Sequence, residues 1–128
     1  ALGKKYKKEQ ERSTSITDKN YQEIDYIQAE EKRIENLRDR IINMVAKSYG
    51  LTDKEIMKKT RRADIAVPRQ IAMYLIREII GLSFPSIGGI FGLDHTTAMH
   101  GCKKISSKLG KDQELKKQVD RIRELATI

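Results

Sequence analysis

The sequence predicts an all-α fold: a compact bundle of about six helices containing a helix-turn-helix, preceded by a charged N-terminal arm and helix. Three observations predict it. Apolar residues recur at helical spacing from Tyr21 to Leu125. Capping residues and glycines punctuate those stretches at the interval of one short helix. No stretch shows the strict alternation of a half-buried strand.

The elements follow in order. Residues 1–20, "ALGKKYKKEQERSTSITDKN", are polar and nearly free of large apolar groups. Such a segment buries too little surface to offset its ordering entropy, so it reads as a flexible basic arm. Residues 21–36 read as a charged linker helix and residues 37–128 as the folded domain. Ile27, Ile34 and Ile41 are seven apart, and Leu37 and Met44 form a second line, so one apolar stripe runs from Tyr21 to Ser48. Glu30, Glu31, Lys32, Arg33 and Glu35 fill its outer face. Gly50 is placed to end this helix in a left-handed cap.

In "LTDKEIMKK", Thr52 stands three residues before Glu55, the spacing of a capping box that opens a short helix. "TRRADIAV" reads as a polar, basic connection. Pro68 suits the first turn of the next helix, "PRQIAMYLIREII", with Ile71, Tyr74, Leu75 and Ile79 as its buried face. Ser83 caps "FPSIGGIF", Pro85 lies in its first turn and Gly92 ends it. Asp94 caps a helix from His95 to Leu109 that Gly110 stops. Asp112 caps the last, whose stripe is Leu115, Val119, Ile122 and Leu125.

The 128 residues carry a formal net charge of +8, which favours a polyanionic partner, either nucleic acid or an anionic membrane surface. No run approaches the roughly 18 apolar residues of a membrane span, and no apolar leader is visible near the N-terminus. Cys102 is the lone cysteine, which excludes an internal disulfide and a multi-cysteine zinc site. The expected setting is cytoplasmic and nucleoid-associated.

Both histidines lie in "GLDHTTAMHGCKKI", residues 92–105. On a helix, His95 and His100 point about 140° apart, whereas helical zinc pairs use spacings of three or four. No metal site is expected. Thr96 and Thr97 follow His95, yet no oriented base, carboxylate partner and oxyanion hole accompany them. "GLSFPSIGGIFG" lacks the Lys-Ser/Thr ending of a phosphate loop, and Gly88 and Gly89 read as close helix packing. No enzyme activity and no cofactor are expected.

The remaining reading is recognition. Two helices, 84–91 and 95–109, joined by a turn at Gly92 form a helix-turn-helix pattern. The second helix of that motif enters the DNA major groove by its N-terminal end. Asp94 can accept from a cytosine amino group, His95 can donate or accept at base edges, and Thr96 and Thr97 can meet a thymine methyl or a phosphate. Thr96, His100, Lys103 and Ser107 share one polar face, opposite Ala98, Cys102, Ile105 and Leu109. A second basic cluster surrounds it. Arg61 and Arg62 sit in a loop, where an arginine can reach a minor groove; Arg69, Gln70 and Arg77 lie on the helix after Pro68, placed to clamp phosphates.

"AVPRQIAMYLIREI" followed by "SFPSIGGIFGLDHTTAMHGCKKI" resembles the C-terminal DNA-binding domain of the bacterial replication initiator DnaA family over about Leu37 to Leu125. The resemblance implies a helical fold with a helix-turn-helix like that of the Trp repressor, binding double-stranded DnaA boxes. By position it implies that Arg61 is a minor-groove arginine. Arg69, Gln70 and Arg77 would be backbone-contacting or base-proximal. Asp94, His95, Thr96 and Thr97 would read the major groove, with His100 and Lys104 further along the recognition helix. The family has Gly-Gly-Arg-Asp-His in the turn; here Gly92-Leu93-Asp94-His95 is one residue shorter. The loop before Pro68 is thinned of basic residues at Ala63, Asp64 and Val67. Nothing resembles the family's ATPase domain.

The expected function is therefore sequence-specific binding of double-stranded DNA, at a DnaA-box-like site, in replication initiation or its regulation. The chain would act as a stand-alone domain or a fragment lacking the ATPase. The expected DNA-contacting set is Arg61, Arg62, Arg69, Gln70, Arg77, Asp94, His95, Thr96, Thr97, His100, Lys103 and Lys104. A transcriptional regulator, or an interaction module self-associating through residues 21–48, is the alternative. No membrane partner is expected.

Overall fold

The computed structural model describes residues 8–128, with side chains from Tyr21 onward. It contains helices only among the described residues: α1 (Lys8–Ser48), α2 (Asp53–Ile56), α3 (Ala63–Ile79), α4 (Phe84–Phe91), α5 (His95–Leu109) and α6 (Gln113–Ala126). The chain divides into two units, one ending at Glu35 and one comprising Asn36–Ile128. Lysine and arginine number 8 against 8 acidic residues up to Glu35 and 18 against 10 beyond it, so the whole +8 belongs to the second unit.

Helix α1 starts at Lys8, so residues 8–20 are helical where their polarity predicted a flexible arm. The run Lys8-Glu9-Gln10-Glu11-Arg12 is made of strong helix formers, which favour a helix that polarity alone does not reveal. The first seven residues of the expected arm lie outside the described ones. In the first unit the large apolar side chains Tyr21, Ile24, Tyr26 and Ile27 are exposed.

The second unit is built around α3, which packs against α2, α4, α5 and α6. Its core takes Ile41, Ile42, Val45 and Ala46 from α1, Ile56 from α2 and Ile71, Ala72, Met73, Leu75 and Ile76 from α3. Ile87 and Phe91 of α4, Ala98, Cys102 and Ile105 of α5, and Val119, Ile122 and Ala126 of α6 complete it. Burial of each such large side chain is worth about 1.5–3 kcal/mol, so the stripe positions decide where each helix faces. Arg40 ties the end of α1 to α6 by donating to the Ala126 carbonyl at 3.1 Å.

Local chemistry sets the boundaries. Gly50 adopts φ +69°, and Leu51 N–H donates back to Ala46 O at 2.8 Å, closing α1 in a left-handed cap. Thr52 and Glu55 form the predicted capping box. Two boundaries differ from the sequence reading. Helix α3 starts at Ala63, five residues before Pro68, so the supposed loop "ADIAV" is its first turn and Pro68 is buried inside it. Proline removes one donor, but Ile65 and Pro68 gain burial in exchange. On α6 the inward position is Ala126; Leu125 stays 40% exposed, because the pattern after Ile122 steps by four rather than three.

Candidate nucleic-acid interface

Helix α4 opens on Ser83, whose hydroxyl accepts from Ser86 N–H at 3.2 Å, with Pro85 in the first turn. It closes on Gly92 at φ +68°, with Leu93 N–H donating to Gly88 O at 2.8 Å and Gly92 N–H to Gly89 O at 3.4 Å. This double bond pattern is a Schellman cap, and it turns the chain within Gly92 and Leu93. A side chain at Gly88 would run into the Leu93 carbonyl oxygen, so only glycine fits there. Space around Gly89 is open; the close-packing role expected of both glycines belongs to Gly88 alone.

Asp94 then starts α5, its Oδ1 accepting from Thr97 N–H at 2.7 Å. That bond holds the Asp94 carboxyl below its ordinary range, so it is ionised at the head of the helix, where negative charge is favoured. Capping uses one carboxylate oxygen and leaves the other as an acceptor. His95, Thr96 and Thr97, in the first turn, are all exposed, and so are His100, Lys103, Lys104 and Ser107. Ala98, Gly101, Cys102 and Ile105 face inward. Gly101 permits the close crossing of α5 over α3: a Cβ there would stand 2.8 Å from Met73 Cε and 3.1 Å from Gln70 Cγ.

The basic residues before and on α3 divide. Arg61 is exposed in the loop and makes no hydrogen bond or ion pair among the described residues. Arg62, also exposed, is held by Asp64. Arg69, expected at the phosphates, is only 7% exposed. Its guanidinium donates to the carbonyls of Lys58 and Thr60 and so anchors the loop that carries Arg61. Desolvation by burial lowers its pKa from the ordinary arginine value. Gln70 is half-buried against Gly101, and its Oε1 has no partner. Arg77, half-buried, donates to Leu82 O at 2.7 Å and lies 4.3 Å above the Phe84 ring, bracing the turn into α4. Both arginines were expected at the phosphates; in the structure both Nη groups of Arg69 and the Nη1 of Arg77 donate to backbone carbonyls.

Lys59 adds to the site. Its Cε would be 2.9 Å from a Cβ on Gly92, so the loop before α3 lies against the turn between α4 and α5. The sequence carries no sign of this contact, which joins residues far apart in the chain. Among the described residues no group of three or more His, Cys, Asp or Glu stands together. None of the described helices is long and apolar enough to cross a membrane.

Two short helices around a glycine turn, the second with a capped, exposed polar first turn, define a helix-turn-helix protein. The family described as the bacterial DnaA protein helix-turn-helix matches residues 38–105, and the chain belongs to it. Over 83 residues it is 46% identical to the chromosomal replication initiator protein DnaA of Deinococcus radiodurans, covering 65% of this chain and 18% of that protein. Over 85 residues it is 44% identical to the protein of the same name from Lactococcus lactis, covering 66% of this chain and 19% of that one. The chain thus spans under a fifth of the length of these curated relatives. A crystal structure of a DNA replication initiation factor superposes with a TM-score of 0.72 over 91% of this chain and 36% of its own, at 23% identity, and shares the fold.

Proposed function

We propose that the Asn36–Ile128 unit binds double-stranded DNA in a sequence-dependent way, at a DnaA-box-like site, in replication initiation or its control. The observation that carries this is the exposed His95-Thr96-Thr97 turn, presented at the N-terminal tip of α5 by the Asp94 cap. Base discrimination falls to His95, Thr96 and Thr97, with the free oxygen of Asp94 as a further acceptor. His100, Lys103 and Lys104, one to three turns further along α5, meet phosphates, and Arg61 reaches into the neighbouring minor groove. Arg69 and Arg77 serve by holding the loop and the turn. Gln70, wedged at the α3–α5 crossing, sets the pose of α5. The charge excess of the second unit and the names of the relatives support the reading.

Selection of bound sequences from a random duplex library tests it. A shared motif that competes better than its scrambled form is the expected result. Recovery of unrelated sequences with equal affinity would reduce the domain to a non-specific polyanion binder.

The exposed Tyr21, Ile24, Tyr26 and Ile27 favour a second role, self-association of the first unit. Light scattering of the Ile24→Glu, Ile27→Glu double variant checks it: the mass falls if the unit self-associates and stays unchanged if it does not.

A further inference from the structure

The loop that feeds α3 carries two adjacent arginines in different electrostatic states. Arg62 Nε donates to Asp64 Oδ1 at 3.2 Å and Nη2 to Asp64 Oδ2 at 2.6 Å, a two-point pairing of guanidinium with carboxylate. The backbone holds this geometry in place. Arg62 is the N-cap residue of α3, its carbonyl accepts from Ile65 N–H at 3.1 Å and Ala66 N–H at 2.7 Å, and its own N–H donates to Thr60 Oγ1 at 3.3 Å. Asp64, in the first turn, is fixed two residues away, where the helix dipole favours its charge. Arg61 has no such partner among the described residues. Asp64 takes the Nε–Nη2 edge of the guanidinium and sets a carboxylate charge beside it, so a phosphate approaching the remaining Nη1 edge meets a largely neutralised cation.

We propose that Asp64 is an electrostatic brake on DNA binding: it holds Arg62 in an intramolecular ion pair and so withholds one cation from the phosphate backbone. This rests on the duplex-binding reading above. The pair is open to solvent, with the two side chains 71% and 60% exposed, so the brake is mild. An exposed pair of this kind shifts an equilibrium by about fivefold at most. Such a device lowers affinity for every sequence alike while leaving the α5 contacts untouched, which raises the share of discrimination in total binding.

The test is a double-mutant cycle on the full chain. Wild type, Asp64→Asn, Arg62→Ala and the double variant are titrated with one duplex across a salt series, with Asp64→Ser as a second release variant and thermal melts to verify folding. Release of Arg62 should tighten binding by roughly two- to fivefold. It should steepen the dependence of log K on log salt by about one phosphate's worth, a slope change near 0.9. In the Arg62→Ala background the same substitution should leave the slope in place and change affinity far less. Binding unaltered by both Asp64→Asn and Asp64→Ser, or an equal gain without Arg62, overturns the brake while the duplex-binding reading stands. A wild-type chain that fails to bind duplex DNA at all removes both.

Discussion

The guanidinium of Arg69 donates to the carbonyl of Thr60 at 2.9 Å, from inside α3 to the loop in front of it. With the second bond to Lys58, one buried cation fixes the backbone on either side of Lys59 and next to Arg61. Arg69→Ala leaves two carbonyls without their donor and should cost about 2–3 kcal/mol, read by urea denaturation. Arg69→Lys should not restore it, because an ammonium point charge lacks the fork that spans both carbonyls. Full stability in either variant would show that the loop holds itself.

Gly88 and Gly89 are adjacent and should behave oppositely. Alanine at Gly88 meets backbone, the Leu93 carbonyl, which can move only if the turn into α5 moves. Gly88→Ala should destabilise by more than about 2 kcal/mol and weaken duplex binding, since α5 would no longer leave α4 at the same angle. Gly89→Ala enters open space on an exposed helix face and should be neutral or stabilising by up to about 1 kcal/mol. Thermal melts of the two variants side by side decide this.

Much of this arrangement is legible in the sequence, and the limits are physical. Thr52, Ser83, Asp94 and Asp112 cap the helices their spacing assigns them, because a cap is a bond between residues three apart. Gly50 and Gly92 take the left-handed conformation expected of them. Pro68 misled, since a proline is a good first-turn residue and nothing local shows that Ile65 will be buried and draw the helix back to Ala63. Arg69 and Arg77 look identical to DNA-facing arginines in a string of letters. Only the folded chain shows that they donate to the carbonyls of Lys58, Thr60 and Leu82. The close approach at Gly101 has no local signal, because its neighbour Met73 comes from another helix.

Acid should weaken the head of α5 in a defined window. The folded pKa of Asp94 is lowered, chiefly by the bond from Thr97 N–H, so its contribution to stability is complete above the ordinary aspartate value and is lost as pH falls through the folded one. Glu55 behaves likewise through its bonds with Thr52. Melting temperature should therefore drop on acidification below about pH 4, and Asp94→Asn should flatten that drop. Parallel pH profiles for wild type and variant would refute the assignment.

Cys102 lies on the inward face of α5 with its thiol pKa pushed up to about 11 by burial. It should resist alkylation at neutral pH in the folded protein and react at the rate of a free thiol once urea unfolds the chain. Mass spectrometry after iodoacetamide treatment follows this; rapid labelling of the native protein would mean that α5 opens away from α3.

The most direct measurement is the affinity of His95→Ala and Thr96→Ala for a selected duplex and for its scrambled counterpart, each against wild type. If the first turn of α5 reads bases, each substitution should cost about 1–3 kcal/mol on the selected duplex and little on the scrambled one. An equal loss on both, or none on either, would contradict a reading role for that turn.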